Sequence, residues 1–492
     1  MWTDAPRTCC GPSGPETRPL SRRSFLRRAG GGFGVLALAS LLERDGLLAA
    51  QADAPVFSPS HPLAPRPPHF APSARSVIFL FMSGGPSHVD LLDPKPDLIR
   101  LAGQPIPESF GTFKTRRNVA KNKLLRPLRA FRSRGQSGTA VSDFLPHLAE
   151  HVDDFCLLRG CYGDSVTHPE SVYLMNTGSI LMGRPSLGAW ATYGLGTSNQ
   201  NLPAFVVLPD PNGWPKGGAP AWSNGYLPAT YQGTLLRGGG SPILDLETPA
   251  GVPSEQQRAT VDFVNRLNRE HLLAGPDDSE LAARIAAYEL AFRMQRHAPE
   301  VVDLKGESPA TRRLYGLDHP MTAEFGTRCL LARRLVEAGV RFIQLYCGDT
   351  NGWDGHSQME ENHARLCAQS DLPIAGLLKD LKSRGLLDST LVVWGGEFGR
   401  MPMSEGSDGR DHNPHGFSMW LAGGGVKGGQ IIGATDAVGL RAVEDRTHVH
   451  DIHATILHLL GLDHERLTFR HNGRDERLTD VFGRVIQRVF VT

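Results

Sequence analysis

Thr390–Gly425 reads TLVVWGGEFGRMPMSEGSDGRDHNPHGFSMWLAGGG, and its reading decides the fold class. The run Thr390–Trp394 is unbroken and apolar, the pattern of a strand in a parallel sheet buried on both faces. Two glycines follow and then a carboxylate, Glu397, at the strand's C-terminal end, where open α/β sheets bind ligands. A glycine-rich excursion carries Asp411, His412 and His415 before a second apolar strand, Phe417–Ala422. Carboxylates and imidazoles gathered beyond strand ends suit a divalent ion such as zinc or manganese. Histidines that only hydrogen-bond to loop backbone would give the same letters.

Upstream, strand Val340–Tyr346 is followed by a loop carrying Asp354 and His356, and then by helix Met359–Arg384, which leads into the Thr390 strand. Strand, loop, helix and strand make the βαβ unit of a parallel sheet. That unit predicts Asp354, His356 and Glu397 at one sheet edge. Val77–Met82 predicts another central strand, ending in Ser83-Gly84-Gly85-Pro86-Ser87-His88-Val89-Asp90. Paired glycines let backbone approach a ligand closely, which makes His88 and Asp90 candidates, or residues of a turn that caps the next element. A helix ending at Gly178 follows Thr167-His168, and groups at a helix N-terminus sit where N–H donors favour an anion.

The chain has 492 residues, enough for one large α/β domain or two ordinary ones, and a formal charge of +1. That balance argues against a nucleic-acid binder. Residues 1–52 read as an export signal: the twin-arginine pattern Ser21–Arg27, a weakly apolar Ala29–Leu42, and cleavage after Ala50-Gln51-Ala52. The protein is expected to be periplasmic or extracellular, with no transmembrane span after cleavage. Residues 53–75 read as a Pro-rich linker and 76–492 as the folded domain. Beyond Cys9 and Cys10 lie Cys156, Cys161, Cys329, Cys347 and Cys367, an odd set in which only Cys156 and Cys161 invite a bridge by spacing.

Residues 114–134, KTRRNVAKNKLLRPLRAFRSR, are strongly basic. They read as a solvated surface insertion rather than a nucleic-acid arm, because no aromatic platform accompanies them. An anionic substrate would still feel the charge. Residues 184–251 read as long Gly/Pro-rich loops with one strand, Ala204–Leu208. His448 and His450, opening a helix to Leu460, either reach the site or only start that helix.

Several of these stretches resemble known groups. Asp451–Gly461 is similar to the helix that closes sulfatase-like domains, and Leu387–Trp394 followed by a carboxylate is similar to the late metal-bearing strand of the alkaline phosphatase superfamily. More closely, MSGGPSHVDLLDPKP, HPESVYLMNTGS, WDGHSQ, GGEFGRMP and NGRDERLTDVFG together resemble an exported bacterial family known as domain of unknown function 1501, over roughly residues 70–490. The resemblance implies an α/β fold like alkaline phosphatase and the sulfatases: a three-layer sandwich with a mostly parallel central sheet, helices on both faces and long loop insertions. It places Asp354, His356 and His412 at metal-ligand positions, with His415 an alternative to His412.

The departures from that superfamily are specific. An aspartate is expected directly after the first strand, where this chain has Met82-Ser83-Gly84, so His88 or Asp90 would have to substitute. The usual Asp-His at the late strand is Glu397-Phe398 here. The nucleophile position falls at or near His168, beside Thr167, and the sulfatase Cys-x-Pro-x-Arg signature is absent.

Two functions follow as expectations. The first is an exported hydrolase of phosphate or sulfate esters using one or two divalent ions (zinc, manganese or calcium). Asp354, His356, Glu397 and His412 would hold metal, with His415, His88 and Asp90 as further candidates. Thr167 or His168 would attack or position water, and Arg400 would neutralise the oxyanion. Its substrate would be an anionic ester on a small molecule or glycan. The alternative is a non-catalytic periplasmic protein on the same fold, binding an anionic polysaccharide or a partner protein.

Overall fold

In the computed structural model, three apolar runs lie side by side at the centre of the molecule: β1 (Ser76–Met82), β5 (Phe342–Cys347) and β6 (Thr390–Gly395), with β1 parallel to both neighbours. The structure describes residues 62–237, 243, 251–274 and 279–491. The predicted export signal lies outside them.

The other strands of the main sheet are β2 (Phe155–Tyr162), β3 (Phe205–Leu208), β4 (Thr234–Leu235), β7 (Phe417–Ala422), β8 (Gln430–Ile432) and β9 (Thr447–His448). Their order is β8-β2-β7-β6-β1-β5-β3-β4, with β9 pairing β2. Only β7 runs against its neighbours, β6 and β2. The predicted βαβ unit forms around β1, which lies between β5 and β6.

The unbroken apolar letters of β1 follow from burial on both faces. Val77, Phe79 and Phe81 point into one core with Leu391 and Val393, while Ile78, Leu80 and Met82 point into a second with Val392 and Trp394. Helices α1 (His168–Thr177), α2 (Leu187–Leu195) and α7 (Val449–Leu459) belong to the first core. Helices α5 (Pro320–Glu337) and α6 (Met359–Ser383) belong to the second. A helical pair is formed by α3 (Ser254–Ala274) and α4 (Ser279–Val302), and α4 packs against the turn at Ala229–Tyr231 and against α5. This is a mixed α/β architecture with a mostly parallel sheet and helices on both faces. No described helix is long and apolar enough to cross a membrane.

Several expectations need correction. The stretch read as loops over 184–251 contains α2, whose two glycines allow close packing: a Cβ on Gly188 would strike the Phe205 ring, and one on Gly194 would meet Leu462. The described part of the Pro-rich stretch is held to the domain, with Arg66 N–H donating to Leu195 and Ser73 N–H to Leu459. Cys156 and Cys161 form no bridge. Both are buried free thiols on the one extended strand β2, where five residues span roughly 16 Å, far beyond disulfide reach.

The glycine-rich excursion after Glu397 is an antiparallel hairpin, Gly399–Glu405 with Gly409–Asn413. Its register is broken between Arg410 and His412, and such a bulge re-aims the side chains beside it.

Candidate metal centre

The ends of β1 and β6 and the loop after β5 meet through backbone. Trp353 N–H donates to Ser83 O at 2.8 Å, fixing the loop that carries Asp354 and His356. Gly84 N–H donates to Glu397 Oε1 at 3.0 Å, and Gly85 O accepts from Arg400 Nε at 2.9 Å. Gly84 has φ of +108°, and a Cβ there would stand 2.6 Å from the backbone nitrogens of Trp353 and Asp354. The diglycine is therefore required by close backbone approach.

Four side chains converge in front of this edge: His168 at the start of α1, Asp354 and His356 from the loop, and His412 from the bulged hairpin. Their donor atoms all lie within 4.8 Å of one another, a cluster able to hold a metal ion. His356 Nε2 is 2.9 Å and His412 Nε2 3.1 Å from Asp354 Oδ1, and the two Nε2 atoms are 3.0 Å apart. His168 Nε2 is 3.0 Å from Asp354 Oδ2 but is not aligned for a hydrogen bond, and it is a buried nitrogen without a partner.

The outer nitrogens of the three rings are all engaged. His168 Nδ1 meets Glu397 Oε1 at 2.7 Å, His356 Nδ1 meets Glu405 Oε2 at 2.5 Å, and His412 Nδ1 meets Val166 O at 2.7 Å. Ionised carboxylates and carbonyls only accept, so each Nδ1 carries the hydrogen. In the neutral rings each Nε2 then presents a lone pair inward. This is the outer-shell pattern of metal-binding histidines. A tetrahedral zinc site with bonds of 2.0–2.1 Å sets its donors about 3.3 Å apart, so the spacing and the donor set fit a small divalent ion.

Burial is the main cause that lowers the His412 pKa, to about 3, with Arg400 adding to it and Asp354 opposing. Burial alone would raise the Asp354 pKa. The charge of Arg400, which donates to Asp354 Oδ1 at 2.8 Å, opposes it and favours the ionised carboxylate.

Other predicted residues stand outside the cluster. Glu397 braces His168 and Gly84 rather than facing the other donors. His415 Nε2 contacts Lys114 O at 2.9 Å, and His88 Nε2 contacts Gly439 O at 2.8 Å. Asp90 is fully buried against Arg410, 2.8 Å away, and Ser87. Thr167 Oγ1 is turned to Ser165 Oγ at 3.2 Å. Arg400 is fully buried. It donates to the carbonyls of Gly84, Gly85 and Arg410 and to Asp354 Oδ1, so it fixes the loop instead of facing an open oxyanion position. His448 caps α7 with Asp451, and His450 contacts Gly178 O.

Three further residues shape the centre. Lys216, in the loop before β4, sets its partly exposed ammonium 2.6 Å from Asp354 Oδ2. Glu405 orients His356 and pairs with Arg117 Nε at 3.3 Å. Asp411 accepts from the N–H groups of His412 and Arg117. His356, Glu405 and Asp411 form a second carboxylate–imidazole group, but these contacts already account for its oxygens. Asp411 was read in the sequence among the carboxylates suited to a divalent ion; here it holds the backbone of His412 and Arg117 instead. Glu405 and Lys216 carry no local signal, since each reaches the site only through the tertiary fold.

The sequence profile of the family described as "Protein of unknown function (DUF1501)" matches residues 74–490. No curated protein matches the chain. Among solved structures, the lipoteichoic acid synthase LtaP from Listeria monocytogenes is similar at 11% identity over 81% of this chain and 76% of that one, TM-score 0.34. The PsFucS1 sulfatase from Pseudoalteromonas sp. is similar at 12% identity over 82% and 74%, TM-score 0.32. The phosphonate monoester hydrolase SpPMH from Silicibacter pomeroyi is similar at 14% identity over 70% and 71%, TM-score 0.31.

Proposed function

From the premise that the chain belongs to the DUF1501 family of proteins of unknown function, we propose that it is an exported metal-dependent hydrolase of phosphate or sulfate esters. The observation that carries this is the set of three Nδ1-anchored imidazoles whose Nε2 atoms converge on Asp354. His168, Asp354, His356 and His412 would hold one divalent ion, zinc or manganese by donor type. Bound there, such an ion supplies Lewis acidity and lowers the pKa of a water molecule toward neutrality.

The chain's own groups divide the remaining work. Glu397, Glu405 and the Val166 carbonyl hold the ring orientations, and Arg400 holds Asp354. Lys216, with a side chain 28% exposed, is the cation placed to meet an anionic ester oxygen. Because Thr167 Oγ1 faces Ser165 and His168 Nε2 faces Asp354, water is the nucleophile in this reading. Export by the twin-arginine route, which carries folded proteins, belongs to the same proposal.

Thr167 Oγ1, the hydroxyl at the expected nucleophile position, is turned to Ser165 rather than to the cluster, and this favours the second reading, a non-catalytic binder on the same fold. Elemental analysis of the mature protein by mass spectrometry, followed by assay of p-nitrophenyl phosphate and p-nitrocatechol sulfate, separates the two. The hydrolase reading expects one equivalent of metal and turnover that chelation abolishes. Metal-free protein after metal-replete expression overturns it.

A further inference from the structure

The basic segment 114–134, which contains no Asp or Glu, is built onto the hairpin that delivers His412 and Glu405. Leu124 bridges Met403 in antiparallel register, Ser404 N–H donates to Lys123 O at 2.8 Å, and Leu125 N–H donates to Pro402 O at 2.9 Å. Further along, Arg117 N–H donates to Asp411 and His415 contacts Lys114 O. The segment is thus an added edge of the hairpin, fixed at both ends.

Its charges are mostly unneutralised. Arg117, Arg129 and Arg132 pair with Glu405, Glu360 and Asp143. Lys114, Arg116, Lys121, Lys123, Arg126 and Arg134 are exposed and make no ion pair among the described residues. Such a concentration on a chain of formal charge +1 is local and directed. Like charges held side by side repel one another, and an extended polyanion relieves that repulsion.

We infer that this strip is the binding track for a linear anionic polysaccharide, sulfated or phosphorylated at several positions, whose chain runs along residues 114–126 beside the His168–Asp354–His356–His412 centre. A nucleic acid is disfavoured because the strip offers no stacking surface. Phe131 is its one aromatic, half-buried, and the neighbouring Phe113 ring packs against Arg441. As a statement about substrate, this rests on the hydrolase reading; as a statement about binding, it stands apart from it.

The test is binding of heparin to the full mature protein by titration calorimetry, with single-stranded oligothymidylate as the competing polyanion. Wild type is expected to bind heparin at least about tenfold more tightly than the oligonucleotide at equal salt, with affinity falling as salt rises. The variant Lys114→Ala/Arg116→Ala/Lys123→Ala is expected to bind heparin about tenfold more weakly and with a shallower salt dependence, since three exposed charges are lost. Its metal content and its rate on p-nitrophenyl esters are expected to match wild type. Unchanged heparin affinity in the triple variant overturns the track, as does equal or tighter binding of the oligonucleotide. Metal-free protein overturns the hydrolase reading alone, because the heparin measurement does not depend on it.

Discussion

The Nε2 atoms of His356 and His412 face each other at 3.0 Å, with the ring planes tilted by 45°. Each ring's Nδ1 donates outward, to Glu405 and to the Val166 carbonyl, so in the neutral rings neither Nε2 has a hydrogen to offer the other. Two lone pairs and a carboxylate crowded into one buried place are unfavourable alone and favourable around a cation. The arrangement gives the metal proposal its physical content.

The first prediction is stoichiometric. Phe398 packs on His412 and His168, with ring centroids 4.5 and 4.9 Å away, and walls that side of the cluster. Glu397, His88, Asp90 and His415 are engaged elsewhere. One equivalent of metal per chain is expected, and His356→Ala and His412→Ala should each lose it while remaining folded. Removing the ion should lower the melting temperature, since a ligand present at 1,000 times its Kd stabilises by about 4 kcal/mol. Two equivalents by mass spectrometry, or full metal content in either variant, would contradict this.

Glu405 provides a sharper test, because it touches the centre only through His356. Glu405→Ala removes the acceptor that fixes the Nδ1–H tautomer and should weaken metal affinity by about 10–100-fold. Glu405→Gln keeps an acceptor oxygen and should fall between the alanine variant and wild type. The metal-free forms of all three should melt alike. A common loss of stability with no graded change in metal affinity would reduce Glu405 to a surface partner of Arg117.

Gly84→Ala is expected to damage the same centre from the backbone. A φ of +108° is strained for any L side chain, costing about 1–3 kcal/mol, and the new Cβ would press on the Trp353 and Asp354 nitrogens. The loop carrying Asp354 and His356 must then retreat, so metal content should drop along with stability. Gly103→Ala is the control: its φ is +81°, but a Cβ there meets nothing within 4 Å. Circular dichroism melts and metal analysis of the two variants, side by side, separate local strain from displacement of the ligands.

How much of this was readable in the sequence depends on the range of the interactions. The strands β1 and β6 were legible because burial on both faces writes an unbroken apolar run, and Asp354 and His356 because the βαβ pattern fixes which sheet edge their loop occupies. His168 was singled out by its place before a helix and by resemblance, as a nucleophile position rather than as a nitrogen facing Asp354. Helix α2 was missed because two glycines disguise a helix that packing against Phe205 and Leu462 makes favourable. His88 and Asp90 sit just past a strand end, as ligands do, yet the chain turns them away into contacts with Gly439 and Arg410. Glu405 and Lys216 reach the centre from loops whose courses are set by tertiary contacts alone.

The Asp90–Arg410 pair, displaced from the site by that turn, should govern acid stability. Both side chains are fully buried, and Arg410 also donates to the carbonyls of Leu125, Arg126, Met401 and Pro402, tying β1's following turn to the hairpin and to the basic segment. Burial pushes the Asp90 pKa up, but the Arg410 charge and the Ser87 hydroxyl outweigh it and hold the group below its ordinary value of 3.8. A carboxyl with a lower pKa folded than unfolded stabilises fully above the unfolded value, and that contribution is lost as pH falls below about 4. Asp90→Ala leaves Arg410 buried without its partner and should cost about 3–5 kcal/mol at pH 7. In denaturant titrations the gap between wild type and this variant should be constant from pH 5 to 8 and narrow below pH 4. A gap that stays the same down to pH 2.5 would show that folding does not lower the Asp90 pKa.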